Sequence, residues 1–145
     1  MFLSYGSQDL IDYLVNHAKH YIYSTAMSAA NARATLASLA LIVAGEQRQR
    51  LQSNIARFRQ GVARHDLPVL ASQTAIQPYI IGSAESVLQA SDYLRALGVW
   101  VGAIRSPTVP KGSDRLRITL SAVHQDKDID ALIDALCLMR EQGWG

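Results

Sequence analysis

Arg115-Leu116-Arg117-Ile118-Thr119-Leu120-Ser121-Ala122 alternates polar and apolar side chains without a break. Successive side chains of a strand point to opposite faces. The stretch therefore predicts a β-strand with Leu116, Ile118, Leu120 and Ala122 on a buried face. Arg115, Arg117, Thr119 and Ser121 then share the other face. Upstream, Arg105 to Ser113 holds Pro107, Pro110 and Gly112 and reads as a loop. Before it, Val99 to Ile104 is nearly all apolar, the pattern of a buried strand. Ser83 to Leu97 reads as a helix, with Val87, Ala90, Leu94 and Leu97 inward and Gly98 as its stop. Ala75 to Ile81 reads as a strand, and Pro78 places it at an edge or bulge. Downstream, a last helix starts near Asp126. Asp128 and Asp130 suit its N-terminus, Arg140 suits its C-terminus, and Ile129, Leu132, Ile133 and Leu136 face inward.

The first half is helical. Ser7 is a good N-cap, and Leu10, Ile11, Leu14 and Val15 follow at helical spacing. This helix is expected to end near Lys19 or His20, with Tyr21 to Thr25 as a short extended link. Ser28 can cap an Ala-rich helix that carries Leu36, Leu39, Ile42 and Val43 around it, a pattern that suits burial on several sides. Gly45 interrupts it. From Glu46 to about Arg64, Leu51, Ile55, Phe58 and Val62 form one stripe, and Arg48, Arg50, Arg57, Arg59 and Arg64 read as a solvated face. The order predicts an α/β fold (an α+β small domain). N-terminal helices precede strand–helix–strand–strand–helix, and the small, largely antiparallel sheet has helices on one face.

Composition narrows the function. The 145 residues are 49% hydrophobic and 18% charged, as in a globular domain. A net charge of +2 is too small to imply a nucleic-acid or membrane partner. The single cysteine, Cys137, sits on an apolar helix face as a small core residue, and no disulfide framework exists. The N-terminus lacks the features of a secretory signal. A cytoplasmic protein is the expectation.

Chemistry concentrates in the loop before the alternating strand. Two prolines stiffen it and lower the entropy lost when it orders over a ligand. Thr108 offers a hydroxyl between them. A guanidinium held on a strand, as at Arg117, or at a strand end, as at Arg105, can grip a carboxylate bidentately. A solvated outer face with ordinary turn prolines is the alternative that the residues leave open. Ser24 and Thr25, two hydroxyls ahead of a helix, can donate to a phosphate, or merely form an N-terminal cap. His17 and His20 share a helix face with no third ligand in view, so no metal is expected. Lys19, Lys111 and Lys127 all lie in polar turns or helix ends. None has the pocket that a Schiff-base lysine needs.

Ala103-Ile104-Arg105-Ser106-Pro107-Thr108-Val109-Pro110-Lys111-Gly112 followed by Arg115 to His124 resembles the C-terminal signature of the α-oxoamine synthases. Ala75-Ile76-Gln77-Pro78 and Tyr21 to Thr25 point the same way, and the similarity runs over essentially the whole chain. The resemblance implies a fold-type-I enzyme dependent on pyridoxal phosphate. A large domain holds the cofactor and a smaller C-terminal domain closes over the substrate. It implies a remnant of the large-domain sheet at 1–6, connecting helices at 7–65 and the C-terminal small domain at 66–145. Within the family, the loop motif is most like the member that condenses L-alanine with a pimeloyl thioester, losing carbon dioxide, in biotin synthesis. Arg117 matches the arginine that meets the substrate carboxylate. Arg105 and Thr108 match the loop that covers the site, with Thr108 at a substrate-contacting position. Ser24 and Thr25 match hydroxyl residues that reach the cofactor phosphate of the neighbouring subunit in a homodimer.

Two departures stand out. Ser28-Ala29 replaces a frequent proline pair, which weakens the cap geometry. Ser106 replaces a frequent proline, which is expected to soften the covering loop. The family's Schiff-base lysine would lie shortly before Met1, so these residues supply no catalytic residue and are expected to be inactive alone. The other readings are a synthase of the same family using glycine or serine, a non-enzymatic regulatory domain that binds a small anion through Arg105 and Arg117, and a dimerisation module.

Overall fold

The computed structural model describes residues 6–144, which divide into two units between Ala40 and Leu41. Of the sheet remnant expected at 1–6, residues 1–5 lie outside the described residues.

In the first unit, α1 (Gln8–His17) starts where the Ser7 hydroxyl accepts the Leu10 N–H. A helical turn, α2 (Lys19–Ile22), follows it. Tyr21 and Ile22 are therefore helical and not extended as expected. Both return their N–H groups to the Ala18 carbonyl, at 2.8 and 3.0 Å. The next helix, α3 (Ala29–Ala44), begins where Ser28 accepts the Asn31 N–H, and it ends beyond the division. No residue of α3 is buried: Leu36 is 63% exposed and Val43 85%. The burial expected on several sides is not supplied by the described residues.

The second unit is built around a helix pair and a sheet. Gly45, at φ +79°, makes the left-handed break before α4 (Glu46–Arg64). Ile55, Phe58 and Val62 of the expected stripe are buried and Leu51 is half-buried. The strands β1 (Ile76–Ile80), β2 (Gly102–Ile104) and β3 (Arg115–Thr119) form an antiparallel sheet in the order β1-β3-β2. Between β1 and β2 runs α5 (Ala84–Ala96), and α6 (Asp126–Glu141) closes the chain. Val87, Ala90 and Leu94 of α5 are buried, as are Ile129, Leu132, Ile133, Leu136 and Met139 of α6. They cover the sheet face that carries Gln77, Tyr79, Leu116 and Ile118.

Three details differ from the sequence reading. Leu97 lies beyond the end of α5 and is 44% exposed, not inward. The strand expected over Val99 to Ile104 pairs only from Gly102, and Trp100 is 84% exposed beneath the Arg95 guanidinium. Such an edge strand with one open face does not bury every side chain. On β1 the inward residues are Gln77 and Tyr79, while Ile76, Pro78 and Ile80 face the open side. Pro78 does lie on an edge strand, where it has no N–H to lose and its carbonyl accepts from Leu70.

Polar groups tie these layers together. Buried Asn54 donates to the carbonyls of Ser121 and His124, at 2.9 and 3.0 Å, pinning α4 to the turn after β3. Arg57 does more than meet solvent, since it bonds Asp130 with two nitrogens and reaches Asp126. That hydrogen bond raises the Arg57 pKa and lowers that of Asp130. Arg140 donates to the carbonyls of His65 and Asp66 at the end of α4. Cys137 is half-buried, and burial pushes its thiol up. Gln77 donates to Ser72 and Thr74, whereas its buried Oε1 has no partner among the described residues.

Where α4 crosses α6, Gly61 is buried, and a Cβ there would stand 3.0 Å from Ile133 Cγ1 and closer still to Cδ1. Gly61→Val is expected to destabilise the unit by about 1–3 kcal/mol through overpacking, measured by denaturant titration. Gly61→Ala should cost less, because a better helix former offsets part of the overlap.

Tyr79 is fully buried and donates to the Trp144 carbonyl at 3.2 Å. Burial pushes its hydroxyl up from 10.0 to about 12, against a smaller lowering by Arg140. The raised value favours the neutral phenol in the fold. Its contribution is therefore present below the unfolded pKa near 10 and is lost as pH rises through about 12. A series of denaturant titrations at alkaline pH should show a shallower loss of stability for Tyr79→Phe than for the parent.

Candidate functional site

The sheet has one open face, and β3 runs down its middle. Arg117 sits at the centre of that strand, opposite Pro78 on β1 and Gly102 on β2. Gly102 has no side chain and Pro78 has a short ring, so neither neighbour stands as tall as the guanidinium. The Arg117 side chain is exposed and forms no ion pair or hydrogen bond among the described residues. The Arg117 backbone faces Gly102 of β2, since Pro78 has no N–H and turns its carbonyl to Leu70, and a guanidinium on such a paired strand with a free tip can bind an anion.

Arg115 lies one row away on the same face, roughly 7 Å along the strand. Its neighbours there are Ile80 and Ile104. Its Nε donates to the Ser113 carbonyl at 2.8 Å, which leaves its Nη atoms as free donors. Thr119 completes the row opposite Ile76.

Arg105 directly follows β2 and opens the loop. Its carbonyl accepts the Thr108 N–H at 2.9 Å, closing a turn around Ser106 and Pro107, whose peptide bond is cis. The side chains of Arg105 and Thr108 are exposed and bond to nothing within the described residues. Gly112, at φ +85°, turns the chain back, and Ser113 donates twice to the Pro110 carbonyl. Arg105, Thr108 and Arg117 thus belong to one hairpin, loop and strands together. The excess of arginine over free carboxylate on this face can attract a negative group.

Ser24 and Thr25 lie in the first unit, in the link between α2 and α3. The Ser24 hydroxyl donates to the His20 carbonyl, while the Thr25 hydroxyl has no partner among the described residues. Thr25 is therefore the available donor of the pair, and Ser24 can still accept. The three lysines are all exposed: Lys19 opens α2, Lys111 lies in the loop and Lys127 is in the first turn of α6.

One residue of this region escaped the sequence reading. Asp114, which precedes β3, is only 3% exposed, and its carboxylate accepts the Ser106 N–H at 2.9 Å. Nothing in the local pattern separates it from a solvated turn aspartate. Its place between the end of β1 and the β2–β3 hairpin appears only once the strands have paired.

The model of the aminotransferase class I and II family matches residues 3–136. The chain belongs to that family. Among curated family relatives, it is 52% identical over 132 residues to 8-amino-7-oxononanoate synthase of Aeromonas hydrophila, an overlap of 90% of this chain and 33% of that protein. It is 55% identical over 131 residues to the enzyme of the same name from Cronobacter sakazakii, covering 90% of this chain and 34% of that one. The chain thus spans about a third of the length of the curated relatives it matches. Among solved structures, an SPT with PLP superposes with a TM-score of 0.83 at 22% identity, over 95% of this chain and 36% of that one. The 8-amino-7-oxononanoate synthase of Francisella tularensis gives 0.78 at 23% identity, over 96% and 41%. These two likenesses speak for the fold, that of a family segment with a small antiparallel sheet.

Proposed function

We propose that the whole protein is a pyridoxal-phosphate-dependent acyltransferase that makes 8-amino-7-oxononanoate in biotin synthesis. L-Alanine loses its carboxylate as carbon dioxide, a bond forms between its α-carbon and the acyl carbon of pimeloyl thioester, and the thiol leaves after taking up a proton. The bound cofactor supplies an electron sink for the carbanion. The curated relatives of about 50% identity support the reaction class, and the observation that carries the site is the unpaired Arg117 on the open sheet face.

Residues 66–145 form the small domain in this reading, 7–65 the connecting helices and 1–6 the remnant of the large-domain sheet. Arg117 holds the amino-acid carboxylate by two parallel N–H bonds and so orients the bond to be broken. Arg105 and Thr108 cover the substrate and exclude water. The free Thr25 hydroxyl fits a phosphate oxygen, and with Ser24 it holds the cofactor phosphate of the partner subunit in a cytoplasmic homodimer. This chain alone does not turn over, because each of its lysines is exposed and none has the enclosed pocket of a Schiff-base lysine.

Two measurements test this reading. Hydrogen bonds to charged groups are worth about 1.5–3 kcal/mol. Arg117→Ala in the full-length enzyme should therefore raise KM for L-alanine roughly 10- to 150-fold with little change in melting temperature. Arg117→Lys should recover only part of the loss, since an ammonium cannot bond bidentately. An unchanged KM removes Arg117 from the site. Separately, incubating this chain with pyridoxal phosphate and reducing with borohydride should give no site-selective labelling. Stoichiometric labelling of Lys19, Lys111 or Lys127, blocked by an amino-acid substrate, would mean that the chain carries its own catalytic site.

A further inference from the structure

Ser106 has an N–H group that a proline there would lack, and this N–H is bonded by a buried carboxylate, Asp114 Oδ1, at 2.9 Å. We propose that Asp114 is a positioning residue that clamps the neck of the covering loop, restoring by one hydrogen bond the stiffness that a proline at 106 would provide. The proposal rests on the reading of Arg105 and Thr108 as substrate-covering groups.

The geometry around Asp114 supports a clamp and not a solvated turn. Its carbonyl accepts the N–H groups of Ile81 and Gly82, at 3.0 and 2.9 Å, so its backbone is anchored to the end of β1. Asp114 immediately precedes β3, whose first residue, Arg115, pairs with Ile104 at the end of β2. The side chain then crosses from this anchored strand to the first loop residue after Arg105. Three segments of backbone are held by one residue. A buried carboxylate is costly unless its oxygens are bonded, so the Ser106 N–H and the carboxylate hold each other in place. The turn closed by the Thr108 N–H on the Arg105 carbonyl springs directly from this neck. Loosening the neck lets Arg105 and Thr108 swing together, whereas Arg117 stays fixed on its strand.

The test is a double-mutant cycle in the full-length enzyme, read by amide hydrogen exchange over residues 105–110 and by KM and kcat. Asp114→Ala should speed exchange of the Thr108 amide and raise KM for the amino acid about 10-fold, with the kcat change smaller than that. Asp114→Asn keeps an oxygen acceptor and should restore both values. In a Ser106→Pro background there is no N–H to clamp, so Asp114→Ala should add little, the sign of coupling between the two positions. Equal effects of Asp114→Ala with and without Ser106→Pro would overturn the proposal. So would a loosened loop with an unchanged KM, provided that Arg117→Ala measured alongside does raise KM. If Arg117→Ala also leaves KM unmoved, the site reading has failed, and the exchange cycle alone then decides the clamp.

Discussion

The central strand β3 is hydrogen-bonded along both edges, to β1 and to β2, and this double pairing fixes the direction of each of its side chains. Leu116 and Ile118 must enter the core between the sheet and the helices, and so Arg115, Arg117 and Thr119 must leave it on the other side. A register slip of one residue would bury guanidinium groups and expose the aliphatic row. Hydrophobic packing on one face thus specifies where the cationic groups stand on the other. The helix pair α4 and α6 backs this arrangement through Phe58, Leu136 and Met139, and the Arg57 bridge to Asp126 and Asp130 locks the pair from outside.

The loop between β2 and β3 inherits its position from the same pairing. Ile104 and Arg115 face each other across the ladder, so residues 105 and 114 stand at the mouth of a hairpin. Within that hairpin, rigidity is graded. Arg117 lies in the middle of a strand paired on both edges, whereas Arg105 and Thr108 depend on one turn and on the bond between Ser106 and Asp114. In the proposed site, one fixed arm and one hinged arm would admit a substrate before closing.

Local periodicity made most of this fold readable. The alternation over Arg115 to Thr119, the apolar stripe of α4 and the glycine stops at Gly45 and Gly98 are short-range signals that packing did not override. The failures have physical causes. Val99 to Val101 is apolar enough for a strand, yet edge position and the Trp100–Arg95 contact leave Trp100 in solvent. Gln77 was an unlikely core residue by type and is fully buried because its amide serves two nearby carbonyls. The Ala-rich α3 reads as a buried helix, but none of its residues is buried. The roles proposed for Arg105, Thr108 and Arg117 come from motif and residue chemistry. Asp114 gave no such signal, because its contacts with Ile81, Gly82 and Ser106 come from strand pairing and not from local pattern. The replacement of a frequent proline by Ser106 suggested a softer loop, and the bond to Asp114 supplies a restraint that no single position reveals.

The division between the two sheet faces also separates two kinds of information carried by the chain. Residues facing the helices are answerable to folding, and their replacement lowers the amount of intact protein. Arg117 and Thr119, projecting into open space, contribute little to that quantity. A survey of variants ranked by cellular abundance would pass over this row as neutral. Under the proposed function, the same survey ranked by growth on limiting product would single it out, and the difference between the two rankings would trace the outline of the open face.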